Sequence, residues 1–202
     1  NWRRKMIPLL ISLAIAGQPP TTKGELPDIE ELEYAMAQMP AKRDYRTRMT
    51  IAGAVLEAGA KYDVDPVWLL AVAYAESRWN VHIKPGDKGK SFGIFQIQKP
   101  TAKVVKYAGF REDTLTRPRS EKPEDLLEDP WTASYIAAAL WQRLRRKYKK
   151  RADIIYNCGF RCKGMKSTPA TRAYWRYYRK LKRALKQQSQ VFSYCTFPSG
   201  AP

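Results

Sequence analysis

Apolar residues recur at helical spacing along most of the chain, and residues that favour turns separate the apolar segments. The segment after Asp65 is almost continuously apolar as far as Tyr74. A side chain that can cap a helix, followed by proline at the first helical position, is typical of a helix N-terminus. We therefore predict a buried helix that begins at Pro66 and extends to about Arg78, with Asp65 as its N-cap.

Two later segments predict amphipathic helices. Asp129 and Pro130 repeat the same start signal, and the apolar positions after them recur every four residues, at Ile136, Leu140, Leu144 and Tyr148. From Thr171 to about Lys186, aromatic and leucine side chains fall on one helical face and basic side chains mostly on the other. Each segment is expected to form a helix with one apolar face.

Two helices are also predicted before Asp65. Asp28 is placed to cap a short helix over 29–39, whose first turns are acidic, and Pro40 should end it. A longer helix is expected from Tyr45 to Lys61. Because no run alternates between apolar and polar over several strands, the pattern predicts a mostly α-helical fold with at most a small β element around 92–97.

The chain has 202 residues, which suits one catalytic or binding domain with appendages. We place a basic and hydrophobic leader or anchor at 1–20, a linker with a short helix at 21–44, the domain at 45–188 and a tail at 189–202. The apolar run from Met6 to Ala16 is too short to cross a bilayer as a helix. It fits an export signal, an uncleaved anchor at a membrane surface, or a segment docked in a larger assembly.

The charge of the chain is strongly positive. There are 37 Lys and Arg against 19 Asp and Glu, a formal charge of +18, which favours anionic partners such as nucleic acid, anionic lipid or an acidic wall polymer. Two basic runs, at 143–151 and 176–186, are similar to surfaces that contact phosphates. Basic helices are also often only solvated faces, so the charge indicates a class of partner and not a reaction.

The cysteines indicate neither a dense disulfide framework nor a zinc site, because there are only three, at Cys158, Cys162 and Cys195. In an exported protein two of them would pair. A bond between Cys158 and Cys162 would close a small loop, and a bond from either to Cys195 would fasten the tail to the domain. We expect no metal and no cofactor.

The candidate chemistry lies in four motifs that follow one another along the chain. Glu76 ends the predicted buried helix in "AVAYAESRW", and "GIFQIQKPTA" follows a glycine-rich loop. The sequence "DPWTASYIAAALWQRLRRKY" comes next, and "YNCGF" at 156–160 comes last. A glutamate at a helix end is often only solvated or paired with a neighbour, here Arg78, so the order of the four motifs carries the argument.

Together these motifs resemble the soluble lytic transglycosylase and goose-type lysozyme family. The resemblance covers about 45–186 and implies a lysozyme-like single catalytic domain that cleaves the glycan strands of peptidoglycan. It also implies that Glu76 acts first as acid and then as base. In that family the acetamido group of the substrate assists, and the 6-hydroxyl of the sugar replaces water, so the product has a 1,6-anhydro end.

The resemblance also assigns residues around Glu76. It implies that Gln96 hydrogen-bonds sugar or acetamido groups, that Tyr156 contacts and orients the Glu76 carboxyl, and that Asn157 supports the cleft. Ser91 lies close to the family's loop serine but is shifted, and Phe95 belongs to the same substrate-binding set. Physical chemistry adds that apolar walls raise the pKa of a carboxyl, with three candidates here: Trp79, Phe92 and Phe95.

Several residues keep two interpretations. Asp87 is either a turn residue before Gly89 or a second carboxylate that orients water and makes the enzyme a hydrolase. Tyr156 and Asn157 could be a buried tyrosine and a helix-ending asparagine with purely structural roles. Ser77 is expected to be a structural hydrogen-bonding residue because no His-Asp pair accompanies it. His82 is expected at the surface.

Three functions therefore stay open at the level of sequence. The first is a lytic transglycosylase that opens the cell wall locally, exported to the periplasmic or cell-wall side or carried as a virion component. The second is a muramidase that uses water. The third is a basic structural or DNA-contacting virion protein with a lysozyme-like fold.

Overall fold

The computed structural model describes residues 26–98, 100–101, 127–158 and 167–195, without the side chains of 158 and 191–195. Two strands, β1 (Ser91–Phe92) and β2 (Ile97–Gln98), accompany the helices. The helices are α1 (Ile29–Ala37), α2 (Tyr45–Tyr62), α3 (Pro66–Ser77), the short α4 (Gly86–Gly89), α5 (Pro130–Tyr148), α6 (Ala152–Cys158) and α7 (Pro169–Cys195), with a 3₁₀ turn (Lys149–Arg151) between α5 and α6. The predicted mostly α-helical fold with a small β element is confirmed. The predicted leader and Cys162 lie outside the described residues.

The predicted starts of α1, α3 and α5 are confirmed by their capping hydrogen bonds, whereas α7 begins at Pro169, two residues before the predicted Thr171. Asp28 and Glu31 form a reciprocal capping box at the start of α1. Asp65 accepts a hydrogen bond from the backbone N–H of Val67 at 2.8 Å. Asp129 does the same for Thr132 at 2.7 Å. Each carboxylate satisfies a backbone donor that would otherwise lack a partner in the first turn.

The helix ends differ from the predictions by a few residues at α1 and α3 and by more at α7. α3 ends at Ser77 because Arg78 adopts a left-handed conformation with φ of 55°. α7 continues to Cys195, past the predicted end near Lys186, because 187–195 contain neither glycine nor proline. None of the described helices is both apolar enough and long enough to span a membrane.

α3 is the central helix of the described fold. Its residues from Pro66 to Tyr74 are all buried, and it packs against α2 and α7. α5 packs along α2, and α6 packs on α5. α1 packs on α2 and α7 and buries Leu32 and Met36, so the folded body extends N-terminal to residue 45.

A cluster of aromatic rings joins three of these helices. Trp68 of α3 lies edge-on to Trp141 of α5, with ring centroids 5.4 Å apart. The Trp68 ring also contacts three rings of α7, those of Tyr174, Trp175 and Tyr178. Such offset and edge-on pairs add to the free energy gained by burying the rings. The cluster fixes α7 against the helix that carries Glu76.

The two strands form a small antiparallel hairpin, at the place where the sequence predicts a β element. Ser91 pairs with Gln98, and Phe92 pairs with Ile97. Gly93 follows β1 with φ of 66°, and a Cβ atom there would lie 1.7 Å from the carbonyl oxygen of Leu127. Only glycine permits this approach. The hairpin therefore lies directly against the residues that precede α5.

Candidate active site

Glu76 lies in the last turn of α3 and is partly buried. Its Oε1 atom accepts a hydrogen bond from the hydroxyl of Tyr174 on α7. The neighbouring Arg78 does not pair with it. The Arg78 guanidinium instead donates to the Tyr177 hydroxyl at 2.6 Å and lies 4.6 Å from the centroid of the Tyr74 ring. Glu76 is thus held by a neutral donor and not by a cation.

The surroundings of Glu76 favour its protonated form. Burial raises the pKa of the carboxyl, and the negative charge of Asp87 raises it further, while the hydrogen bond from Tyr174 opposes the rise. The net pKa lies above the ordinary value. A carboxyl that retains its proton closer to neutral pH can donate that proton to the leaving oxygen of a glycosidic bond.

Tyr174 is the main functional residue that the sequence analysis missed. Its ring is fully buried, and burial raises the pKa of its hydroxyl well above the ordinary value, with the charge of Glu76 adding to the effect. The Asn157 side chain hydrogen-bonds this hydroxyl, and the Asn157 Oδ1 accepts from Thr168 Oγ1 at 3.0 Å. A chain of hydrogen bonds therefore runs from Thr168 through Asn157 and Tyr174 to Glu76.

Tyr156 hydrogen-bonds a backbone carbonyl near Glu76, and its predicted contact with the Glu76 carboxyl stays a prediction. Its hydroxyl donates to the carbonyl oxygen of Phe95 at 3.2 Å, and its ring stacks on Trp141 with centroids 4.5 Å apart. The hydroxyl that hydrogen-bonds the Glu76 carboxyl is that of Tyr174. Burial raises the pKa of Tyr156, and the charge of Glu76 raises it further, so Tyr156 lies close to Glu76 as well as to the motif after β1.

Gln96 closes the loop in front of the hairpin. Its Oε1 accepts from the backbone N–H of Gly86, and its Nε2 donates to the carbonyl oxygen of Gly93, both at 3.0 Å. A Cβ atom at Gly86 would lie 2.3 Å from Oε1, so any side chain there would displace the Gln96 amide. One N–H and one acceptor lone pair of the amide remain. The predicted contact of Gln96 with sugar stays a prediction.

Asp87 has features both of a turn residue and of a second carboxylate near Glu76. It has a left-handed backbone with φ of 48° inside α4, which fits a turn residue. Its Oδ2 accepts from Ser91 Oγ at 2.8 Å and lies 3.5 Å from Gln98 Nε2. Its negative charge nevertheless acts on Glu76. The structure thus brings Asp87 of α4 and Ser91 of β1 together, with the charge of Asp87 close enough to act on Glu76.

Most of the other residues singled out in the sequence are buried or hydrogen-bonded to the backbone, and His82 lies at the surface. Phe92, Phe95 and Trp79 are buried, and the indole N–H of Trp79 donates to the Leu70 carbonyl at 2.9 Å. Ser77 Oγ donates to the Ala73 carbonyl at 2.9 Å, as expected of a structural serine. The side chain of His82 is exposed, as predicted. Among the described residues, no three His, Cys, Asp or Glu side chains converge in a way that could hold a metal ion.

A comparison with known protein families matches the part of the chain that contains this candidate site. A family model described as the transglycosylase SLT domain matches residues 53–177, which include Glu76, Gln96, Tyr156 and Tyr174. No curated protein and no solved structure matches the chain. The matched segment spans more than half of the chain and runs from α2 into α7. The chain therefore belongs to the transglycosylase SLT domain family, which acts on peptidoglycan by cleaving glycosidic bonds.

Proposed function

We propose that this protein is a peptidoglycan lytic transglycosylase that cleaves the β-1,4 bond between N-acetylmuramic acid and N-acetylglucosamine. One observation carries the proposal: Glu76 is partly buried, has a raised pKa and is held by the neutral hydroxyl of Tyr174. A carboxyl in these surroundings is suited to deliver a proton. No cation competes for it among its described contacts.

The proposed reaction uses Glu76 twice. The protonated carboxyl first donates its proton to the leaving glycosidic oxygen while the bond from that oxygen to the anomeric carbon breaks. The acetamido oxygen of the muramic acid bonds to the anomeric carbon in its place. The Glu76 carboxylate then accepts the proton of the 6-hydroxyl, whose oxygen displaces the acetamido oxygen and closes the 1,6-anhydro ring. Both groups belong to the bound sugar, so the reaction benefits from proximity.

The surroundings of Asp87 support the internal attack without excluding water. Asp87 Oδ2 already accepts from Ser91 Oγ, which ties this oxygen to the loop. A hydrolase needs a second carboxylate that activates or replaces water on the far side of the sugar. The influence of Asp87 on the pKa of Glu76 is the one observation that favours the second candidate, a water-using muramidase.

Mass analysis of digested peptidoglycan tests the two candidates directly. A lytic transglycosylase releases muropeptides with 1,6-anhydro ends, lighter by one water than the products of a lysozyme. Reducing ends in the products would replace the proposal with the muramidase. Intact glycan strands after prolonged incubation, with a folded protein, would reject both enzymatic functions.

We further propose that the enzyme opens the wall locally, on the exported or cell-wall side of a membrane or as part of a virion or secretion assembly. The strongly basic chain and the apolar run at 6–16 support this setting. A basic structural protein that contacts nucleic acid through its basic helices is the alternative for the same charge. The two differ in whether wall-degrading activity depends on Glu76.

A further inference from the structure

The side of α7 that faces solvent carries a row of basic side chains. The members of this α7 basic row are all exposed and are Arg172, Arg176, Arg179, Arg183 and Lys186. Their spacing alternates between four and three residues, so they fall within about 80° of the helix circumference and extend over about 21 Å. α7 contains no acidic residue at all. The row is therefore a straight line of positive charge, and the exposed Lys180 and Lys182 lie about 40° beyond its two edges.

The fold does not account for this row. Like charges three or four residues apart on a helix repel one another and reduce its stability. Salt bridges in the described part of the chain include those of Arg48, Arg145 and Lys182, and no member of the row takes part in these. The row makes only neutral contacts, such as that of Arg172 with Ser167 Oγ at 3.2 Å. Its charges remain available to an external anion.

We propose that the α7 basic row binds a flexible, phosphate-bearing chain of the cell wall, such as a polyol phosphate polymer, and so holds the enzyme on its substrate. The inference rests on the proposed function for its setting. Four of the five members are arginines, and a guanidinium group binds a phosphate through two parallel hydrogen bonds. A flexible chain can extend along the row and present successive phosphates to it.

The neighbouring surface does not suit the other large anions. Insertion into a membrane surface needs exposed apolar side chains, and binding of single-stranded nucleic acid needs exposed aromatic rings. The large hydrophobic residues exposed in the described part of the chain are Tyr45 and Trp131, and neither lies on the stretch of α7 whose side chains are described, 169–190. A strand of duplex DNA winds around its axis, so a straight single row follows it for only part of about 21 Å.

The location of the row leaves the active site open. Tyr174, which contacts Glu76, lies about 160° around α7 from the centre of the row. A chain bound to the row therefore occupies the outer face of α7, and the buried face continues to hold the catalytic carboxyl. The same helix can retain the enzyme on the wall and support the acid at the same time.

A charge-matched pair of variants tests this inference. The row variant combines Arg179→Gln, Arg183→Gln and Lys186→Gln, and the control combines Lys42→Gln, Arg46→Gln and Lys84→Gln, which are exposed cations on three separate segments outside α7. Both carry Glu76→Gln so that the wall is not digested. Binding is measured on purified cell walls that carry the polyol phosphate polymer and on the same walls after chemical removal of its phosphodiesters.

We expect the row variant to bind the intact walls at least about tenfold more weakly at about 0.15 M salt, with a smaller salt dependence. The control should stay within about twofold of the parent, because scattered surface charges contribute little at that ionic strength. On the stripped walls, the parent and both variants should bind alike. Thermal melting of each variant checks that the fold is retained.

Three results would overturn the inference. Equal losses in the row variant and the control would assign binding to net charge alone. A row-dependent affinity that survives removal of the phosphodiesters would exclude the phosphate polymer. Row-dependent binding that is stronger to a short DNA duplex, or to vesicles of anionic lipid, would identify the row as a nucleic-acid or membrane surface. Because binding is measured without catalysis, a failure of the proposed enzymatic function appears separately in the product analysis.

Discussion

Two carboxylates at opposite ends of α3 each accept a hydrogen bond from a tyrosine of α7, yet their other contacts differ. Asp65 at the N-terminal end accepts from Tyr178 at 2.9 Å and from the backbone N–H of Val67, and Lys182 Nζ lies 3.6 Å away. Glu76 at the C-terminal end accepts from Tyr174. A carboxyl group bonded to a tyrosine hydroxyl therefore occurs in two different electrostatic environments.

The two carboxyls differ in the charges and dipoles that surround them. At the N-terminus of a helix the backbone dipoles favour negative charge, and at the C-terminus they disfavour it. Besides the Tyr178 hydroxyl, Asp65 has a backbone N–H and the Lys182 ammonium group as partners. Glu76 has the negative charge of Asp87 nearby instead, and burial raises its pKa. The tyrosine positions both groups, and the remaining neighbours decide their chemistry.

The largest expected effect comes from Glu76→Gln. The amide has the same shape but cannot donate the proton, so wall lysis should fall by about 10²- to 10⁴-fold. The pKa of Glu76 is higher in the folded than in the unfolded protein, so ionisation costs folding free energy as pH rises through the folded pKa. The variant lacks this cost, and its melting temperature at neutral or alkaline pH should be no lower than that of the wild type.

Turbidity assays on cell walls and thermal melts at several pH values measure both effects. Activity within about tenfold of the wild type would mean that another group is the acid. A melting temperature that falls below the wild-type value at alkaline pH would contradict the raised pKa.

A second prediction concerns the other end of α3. Asp65→Ala removes the helix cap and leaves the Tyr178 hydroxyl without its acceptor, which should lower the free energy of unfolding by about 2 kcal/mol. Asp65→Asn is the matched control, because its amide oxygen can still accept from the backbone N–H of Val67 and its amide nitrogen can donate to the Tyr178 hydroxyl oxygen. Denaturant unfolding measures the difference. Equal losses in the two variants would show that the charge, and not the hydrogen bonds, holds this end.

The two tyrosines should respond differently to removal of their hydroxyl groups. Tyr174→Phe deletes the hydrogen bond that lowers the pKa of Glu76, so the alkaline limb of the pH–activity profile should move to higher pH while the maximal rate falls several-fold through lost orientation. Tyr178→Phe should lower the free energy of unfolding by about 1 kcal/mol and leave the profile in place. Profiles of kcat against pH decide this, and a shift of the limb in the opposite direction would contradict it.

The smallest expected effect comes from Asp87→Asn. Loss of the negative charge should lower the pKa of Glu76, so the alkaline limb should move to lower pH while the plateau rate stays within about twofold. Ser91→Ala removes the hydrogen bond from Ser91 Oγ to Asp87 Oδ2 without changing the charge of Asp87. It should therefore leave the alkaline limb unshifted. A plateau rate that drops by more than about tenfold in Asp87→Asn alone would assign Asp87 to water activation and favour the muramidase.

The helices and the place of Glu76 at a helix end could be predicted because their signals are local in sequence. Asp65 and Pro66 lie within one turn of the helix that they start, and Glu76 ends the apolar run that follows them. The family resemblance rests on short motifs of the same kind. α7 extends beyond its predicted end near Lys186 because no residue at 187–195 breaks a helix.

The partners of the acid could not be predicted in the same way. Tyr174 is separated from Glu76 by 98 residues, and its position on an apolar face reads as ordinary core. One signal was present: a buried tyrosine hydroxyl needs a hydrogen-bond partner. Gln96 was expected to contact sugar, but its amide bonds two backbone groups of its own loop, and loop conformation of this kind has no simple sequence pattern.

Gly93 has a consequence for how the chain tolerates change. Any side chain there would meet the Leu127 carbonyl as well as an unfavourable φ, so a single added methyl group would push apart two segments that are far apart in sequence. The first damage would therefore be seen at the entry to α5, away from the substituted loop. In a redesign of the hairpin, position 93 must stay glycine unless the backbone at 127–128 is redesigned together with it.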